Sequence, residues 1–262
     1  MLTYRIEGDG EPVVCIPGGM LPAAYLGDLG GLPAQLVLVD PRGSDGLGDP
    51  ESWRCDRQAA DLEALRAHLG LERLTLLAHS AGASLVTQYA VQYPSRIARL
   101  ILVTPSPFSV GIAMTADRRR RVLALRKDEP WYAEVAAAFE ALQTGAPVDP
   151  SALNPIGYAR WDDEARAQQA LEDKLAVPDA LSAYYADGAF DPAETRAALR
   201  QLDVPALIIS GGLDLSSDAA AGAEFAALFP QGTPVVLEGA AHHPWLDDRH
   251  AFAETVHHFL TT

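Results

Sequence analysis

Residues 74–93 constrain the fold more than any other stretch of the chain. Leu74-Thr75-Leu76-Leu77 is a short apolar run of the kind that makes a buried strand. The segment after it carries apolar residues at Leu85, Val86, Tyr89 and Tyr93, the spacing of a helix face. Only Ala78-His79-Ser80-Ala81-Gly82 lies between, so the chain must turn from strand to helix within a few residues. Such a turn is sharp, and side chains two before and two after its apex collide unless they are small. Those positions hold Ala78 and Gly82. The turn lifts the Ser80 hydroxyl clear of the sheet and leaves the Ala81 N–H at a helix N-terminus, where it can bind an oxyanion. A serine that merely caps the helix would also account for Ser80 taken alone.

The same alternation runs through the chain. Strands are expected at 13–17, 36–40, 74–79, 99–104, 206–210 and 233–238, with helices at 56–69, 81–93, 218–229 and 248–260. Strands alternating with helices predict right-handed β-α-β units, hence an α/β fold with a mostly parallel sheet covered on both faces. The alternation lapses between about 106 and 202, where helices are expected at 133–142, 163–175 and 193–202. The 262 residues thus divide into a core, 1–105 plus 203–262, and a helical insert, 106–202.

A nucleophilic serine needs a base and a group to orient that base. Residues 204–210 form a β-branched apolar run ending in Gly211-Gly212, which puts Asp214 at the carboxyl end of a strand. Parallel sheets carry their functional groups at that edge. The run 233–238 leads into Gly239-Ala240-Ala241-His242-His243-Pro244-Trp245, a tight loop presenting histidine near the same edge. A turn aspartate and a loop histidine are each ordinary. Their joint occurrence after strands, in the order serine, aspartate, histidine, points to catalysis.

On these residues the chain resembles the α/β-hydrolase superfamily, from about residue 2 to residue 260. Ile16-Pro17-Gly18-Gly19-Met20 is similar to the loop that lends a second oxyanion-hole N–H, with Pro17 where histidine is usual. Asp40-Pro41-Arg42-Gly43-Ser44 resembles the family's structural Asp-x-Arg-Gly turn. Residues 239–245 resemble its Gly-x-Gly-His-x-Pro loop, with Ala241 in place of a glycine. The resemblance implies Gly19 and Ala81 as oxyanion donors and His242, not His243, as the base. It places His243 near the pocket rim, in a position usually hydrophobic, and makes residues 106–202 a lid. Asp218 is the carboxylate nearest in sequence that could replace Asp214. The loops and insert are most similar to the proline iminopeptidase branch, where acidic lid residues bind a free α-amino group. Asp162, Asp163 and Glu164, beside Trp161, match that role by position.

The expected activity is therefore a serine hydrolase that cleaves a small ester or amide through an acyl-enzyme, with a proline iminopeptidase-like aminopeptidase as the close alternative. A type II thioesterase, a carbon–carbon bond hydrolase and a non-turnover small-molecule receptor use the same fold. Serine at the nucleophile position disfavours the dehalogenase and epoxide-hydrolase branches. The expected partner is a small-molecule substrate. A net charge of −15 argues against nucleic acid, and Arg118-Arg119-Arg120-Arg121 reads as a solvated helix face. No run is apolar and long enough to span a bilayer, and the first residues lack a basic-then-apolar leader, so a cytoplasmic location is expected. Cys15 and Cys55 form neither a disulfide framework nor a zinc site, and neither metal nor cofactor is expected. The insert's aromatic residues, Tyr158, Trp161, Tyr184, Tyr185 and Phe190 among them, are expected mostly to pack, with a few lining a pocket.

Overall fold

Seven strands hydrogen-bond into one sheet. In the computed structural model, which describes residues 2–262, they are β1 (Thr3–Glu7), β2 (Pro12–Ile16), β3 (Gln35–Asp40), β4 (Leu74–His79), β5 (Ile97–Val103), β6 (Ala206–Gly211) and β7 (Gly232–Leu237). Their spatial order is β1-β3-β2-β4-β5-β6-β7. Strand β1 runs antiparallel to β3, and every other pairing is parallel. The sequence reading missed β1. Thr3-Tyr4-Arg5-Ile6-Glu7 is an edge strand left partly exposed, so it carries no apolar run to announce it.

The central strands read as unbroken apolar runs because both of their faces are covered. Leu76, Leu102 and Ile208 face one layer, with Leu62, Leu85 and Phe225. Leu77, Ile101 and Ile209 face the other, with Trp245, Phe252 and Val256. All twelve are almost wholly withdrawn from water. Cys15 and Cys55 are both free and buried, and they lie in opposite layers, with Cys15 in the second and Cys55 in the first.

The helices are α1 (Cys55–His68), α2 (Gly82–Gln92), α3 (Ala116–Ala124), α4 (Tyr132–Gln143), α5 (Asp163–Leu175), α6 (Ala180–Tyr184), α7 (Pro192–Leu199), α8 (Ala219–Ala226), α9 (Pro244–Asp247) and α10 (Arg249–Thr261). Helices α3 to α7 lie between β5 and β6. Among the described residues no helix is long and apolar enough to cross a membrane.

Helix α3 departs from the expected solvated basic face at Arg118, while Arg120 and Arg121 are exposed as expected. It buries only Val122 and Leu123, too few to show a period in the sequence. Arg118 is largely buried and holds Asp218 bidentately, with Nε at 3.0 Å from one carboxylate oxygen. It also donates to Glu224 at 3.0 Å. It thereby ties α3 to the start of α8, which the same Asp218 caps through the Ala221 N–H at 2.7 Å. The Asp40–Ser44 turn is structural, as expected. Asp40 accepts from the Ala23 N–H at 2.8 Å, and Arg42 pairs with Asp61 through Nε at 3.0 Å.

The carboxyl end of β6 touches the 239–245 loop backbone to backbone. A Cβ on Gly211 would lie 2.1 Å from the Ala241 carbonyl oxygen and 2.7 Å from that of Ala240. Neither atom can swing aside as a side chain could. Gly211→Ala should therefore cost about 2–3 kcal/mol, the upper part of the range for overpacking, and lower the melting temperature in a thermal scan. A variant melting with the wild type would show that the loop yields freely.

Candidate active site

Ser80 stands on the strand-to-helix turn with φ at +48°, a left-handed conformation that costs a non-glycine residue energy. Its neighbours hold it there. The Ser80 N–H donates to the Val103 carbonyl at 3.0 Å, and the Ser80 carbonyl accepts from Ser106 at 2.9 Å and Ala83 at 3.1 Å. A Cβ on Gly82 would sit 2.5 Å from the Pro17 carbonyl oxygen, and one on Gly18 would sit 2.9 Å from Cβ of Ser80. Gly82 is small for the reason the sequence suggested, and Gly18 is a second position under the same constraint.

The three residues drawn from separate loops meet. His242 Nε2 lies 3.0 Å from Ser80 Oγ, and His242 Nδ1 lies 3.0 Å from Asp214 Oδ2. A carboxylate only accepts, so Nδ1 carries the proton and Nε2 presents its lone pair to the serine hydroxyl. Asp214 is buried and its other oxygen accepts from the Ser216 N–H at 2.8 Å. The His242 backbone is anchored too. Its N–H donates to the Gly157 carbonyl at 3.1 Å, and its carbonyl accepts from Thr104 Oγ1 at 3.0 Å and His79 Nε2 at 2.9 Å. Asp218 is not an alternative to Asp214, because capping α8 and pairing with Arg118 already engage it.

Gly19 and Ala81, on either side of the serine, line a cavity of about 450 Å³ with Ser80, Ser106, Phe108, Leu181 and Tyr185. Among the described residues, no protein acceptor engages the N–H of Gly19 or of Ala81. Among the described residues, no carboxylate and no lysine or arginine lines this cavity. The arrangement can activate a hydroxyl for attack and offer two N–H groups to a developing oxyanion. Among the described residues no three histidine, cysteine or acidic side chains gather to hold a metal ion.

The alpha/beta hydrolase fold family, taken as a sequence profile, matches residues 13–248. The chain is an α/β-hydrolase. It is 32% identical over 143 residues to the AB hydrolase superfamily protein YclE of Bacillus subtilis (strain 168), an alignment that spans 52% of this chain and 46% of that protein. It is 23% identical to a proline iminopeptidase of Heyndrickxia coagulans, over 98% of this chain and 92% of that one. Among solved structures, an esterase from Exiguobacterium antarcticum superposes with a TM-score of 0.73 at 20% identity, covering 100% of this chain and 96% of the other.

The residues expected to bind substrate lie elsewhere in this α/β-hydrolase. Trp161 packs on Tyr158, with the Arg166 guanidinium 5.3 Å above its ring. Asp162 is exposed, caps α5 through the Ala165 N–H at 3.0 Å, and lies 3.5 Å from Arg160. Asp163 faces solvent, and Glu164 pairs with Arg249 at 2.7 Å. None of them lines the cavity. The acidic run serves the start of a helix, where carboxylates cap N–H groups and oppose the macrodipole.

His243 is likewise not at a rim. It is buried, stacked on Tyr158 at 4.7 Å and 7°, with Nδ1 3.0 Å from the Gly157 carbonyl oxygen and Nε2 3.0 Å from Glu172 Oε1. Both of its nitrogens face acceptors, so the ring is held as imidazolium against a carboxylate. Glu172 escaped the sequence reading, although Gln168, Leu171, Glu172 and Leu175 form one stripe of α5. An acid inside a core-facing stripe was the available signal.

Burial opposes the charge on His243, but the Glu172 carboxylate and the Gly157 carbonyl outweigh it and raise its pKa above the ordinary 6.5. Burial likewise works against Glu172, and His243 overcomes it, lowering the carboxyl below the ordinary 4.5. The pair's stabilisation is thus complete between those two values. It drains as pH rises through the raised imidazole value, and again as pH falls through the lowered carboxyl value. Glu172→Leu should cost about 3–5 kcal/mol in urea unfolding within that window, because it strands a buried imidazolium. The Glu172→Leu/His243→Phe double variant should recover most of the loss, and the Glu172→Leu deficit should narrow in alkali. Additive losses would remove the ion-pair account.

Proposed function

We propose that the protein is a serine hydrolase that cleaves a small, neutral carboxylic ester through an acyl-enzyme. The observation that carries the reading is the unbroken Ser80–His242–Asp214 chain of 3.0 Å hydrogen bonds, placed on a strained elbow beside two unengaged N–H groups. Ser80 Oγ attacks the carbonyl carbon while His242 Nε2 takes its proton. The Gly19 and Ala81 N–H groups hold the tetrahedral oxyanion, an interaction worth about 2.7–4 kcal/mol per donor in the transition state. Asp214 stabilises the imidazolium. The intermediate collapses, the carbon–oxygen bond to the alcohol breaks, and His242 returns its proton to the departing oxygen. Water then attacks the acyl-serine, again giving its proton to His242, which passes it to Ser80 as the acid leaves.

The cavity favours an ester over an aminopeptidase substrate. Phe108, Leu181 and Tyr185 are its bulky walls, and no carboxylate faces an ammonium group there. A charged amine would lose its hydration without gaining a partner. Glu172, the partly buried insert carboxylate nearest in kind, is already engaged by His243.

A fluorophosphonate probe should label Ser80. Ser80→Ala and His242→Ala should each lower kcat on p-nitrophenyl butyrate by on the order of 10³-fold or more. Prolyl p-nitroanilide should be cleaved far more slowly than either p-nitrophenyl acetate or p-nitrophenyl butyrate. Unchanged turnover by Ser80→Ala would discard the nucleophile, and a preference for the free-amine anilide would replace the esterase reading by the aminopeptidase one.

A further inference from the structure

Two buried side chains that the reaction does not use stand directly behind the catalytic loops. His79 precedes the nucleophile at the end of β4, and Tyr25 lies on a single 3₁₀ turn, Ala23–Leu26, just after the loop that holds Gly18 and Gly19. Both are 2% exposed. The Gly18 N–H donates to the Tyr25 hydroxyl oxygen at 2.6 Å. That hydroxyl is hydrogen-bonded to His79 Nδ1, and His79 Nε2 is 2.9 Å from the carbonyl oxygen of His242.

The last acceptor fixes the direction of the whole chain. A carbonyl can only accept, so His79 Nε2 carries a proton. In the neutral ring Nδ1 then accepts, so Tyr25 donates to it while the phenol oxygen accepts from Gly18. A neutral ring agrees with the surroundings: burial and the neighbouring His242 and His243 push His79 well below the ordinary imidazole range. No slack is available either. A Cβ on Gly18 would lie 3.1 Å from His79 Nδ1, and the edge-on Trp245 ring closes the far side at 4.7 Å.

We propose that Tyr25 and His79 are positioning residues, a one-directional hydrogen-bond relay that fixes the oxyanion loop and the base loop relative to the nucleophile. The inference rests on the catalytic roles given above to Ser80, His242 and Gly19. Gly18 sets the peptide that presents the Gly19 N–H. The His242 carbonyl sets the backbone from which its ring reaches Ser80. His79 is joined to Ser80 by a peptide bond. A shift at either end of the relay is therefore a shift of donor or base against the reacting hydroxyl, where small displacements cost large factors in rate.

Tyr25→Phe removes one oxygen and keeps the ring. It should lower kcat on p-nitrophenyl butyrate by about 10-fold or more while KM stays within about 2-fold, since an oxyanion donor acts in the transition state. Affinity for an alkyl boronic acid, which forms a tetrahedral adduct at Ser80, should fall in parallel with kcat/KM. Affinity for butyrate, which forms none, should not. His79→Leu should show the same pattern, whereas His79→Gln, whose amide offers a donor and an acceptor, should recover part of the rate. The Tyr25→Phe/His79→Leu double variant should be no worse than the poorer single one, because one relay is broken once.

Losses confined to melting temperature, or boronate and butyrate affinities falling together, would make the pair merely structural and overturn the proposal. So would kcat within 2-fold of wild type in both Tyr25→Phe and His79→Leu. If fluorophosphonate labels Ser80 in the wild type and these variants are unimpaired, the relay alone fails. If the wild type is neither labelled nor active on esters, the catalytic reading fails and takes the relay with it.

Discussion

The left-handed backbone at Ser80 is the constraint from which the rest of the site follows. A non-glycine residue held there stores about 1–3 kcal/mol, and it persists only where the surroundings over-determine it. Here they do, through hydrogen bonds to Val103, Ser106 and Ala83 and through close backbone approach at Gly18 and Gly82. That conformation turns the chain from β4 into α2 within a few residues. It brings the hydroxyl up to the sheet's carboxyl edge, and the Ala81 N–H beside it. Strands β2, β6 and β7 then deliver the remaining groups to the same edge, because parallel strands end on one side.

The segment around Gly157 lies between β5 and β6, yet it is bonded into the scaffold of the His242 loop. The Gly157 carbonyl accepts both the His242 N–H and His243 Nδ1. Asp247 bridges the two chain segments, accepting from Ala159 at 2.8 Å and Ala241 at 2.7 Å. Arg126, buried on α3's trailing turn, donates to the Tyr158 and Ala159 carbonyls at 2.6 and 2.8 Å. With the His243–Glu172 pair, these bonds make this segment a fixed wall of the 239–245 loop. Functional loops are positioned by a rigid scaffold of this kind.

Much of the architecture was legible before any coordinates. Helix α5 spans the residues expected for it, and the six expected strands all form, since a strand buried on both faces must be spelled in apolar residues. The meeting of Ser80, Asp214 and His242 was legible because each follows its strand within a few residues, which leaves little choice about where they end. Two of the three failures share a cause. Asp162 looked like a ligand and is a helix cap, Arg118 looked solvated and is a partly buried tie, and His243 looked like a rim residue and is an ion-paired core group. For Arg118 and His243 the residue type was evident and the partner lay far away in the chain, whereas Asp162 caps an N–H only three residues on.

What the sequence determined by itself is therefore the periodic and the local: the strand and helix order, the small residues that a sharp turn demands, and the edge at which the functional groups gather. Only the tertiary structure decided the pairings. Glu172 meets His243 across 71 residues, Arg118 meets Asp218 across 100, and His79 reaches the His242 carbonyl across 163. Hydrophobic burial repeats along the chain and can be read as a period. A hydrogen bond or ion pair is made once, between two particular atoms, and leaves no period to read. Its identity is set when the layers close, and so is the charge state of every buried group it holds.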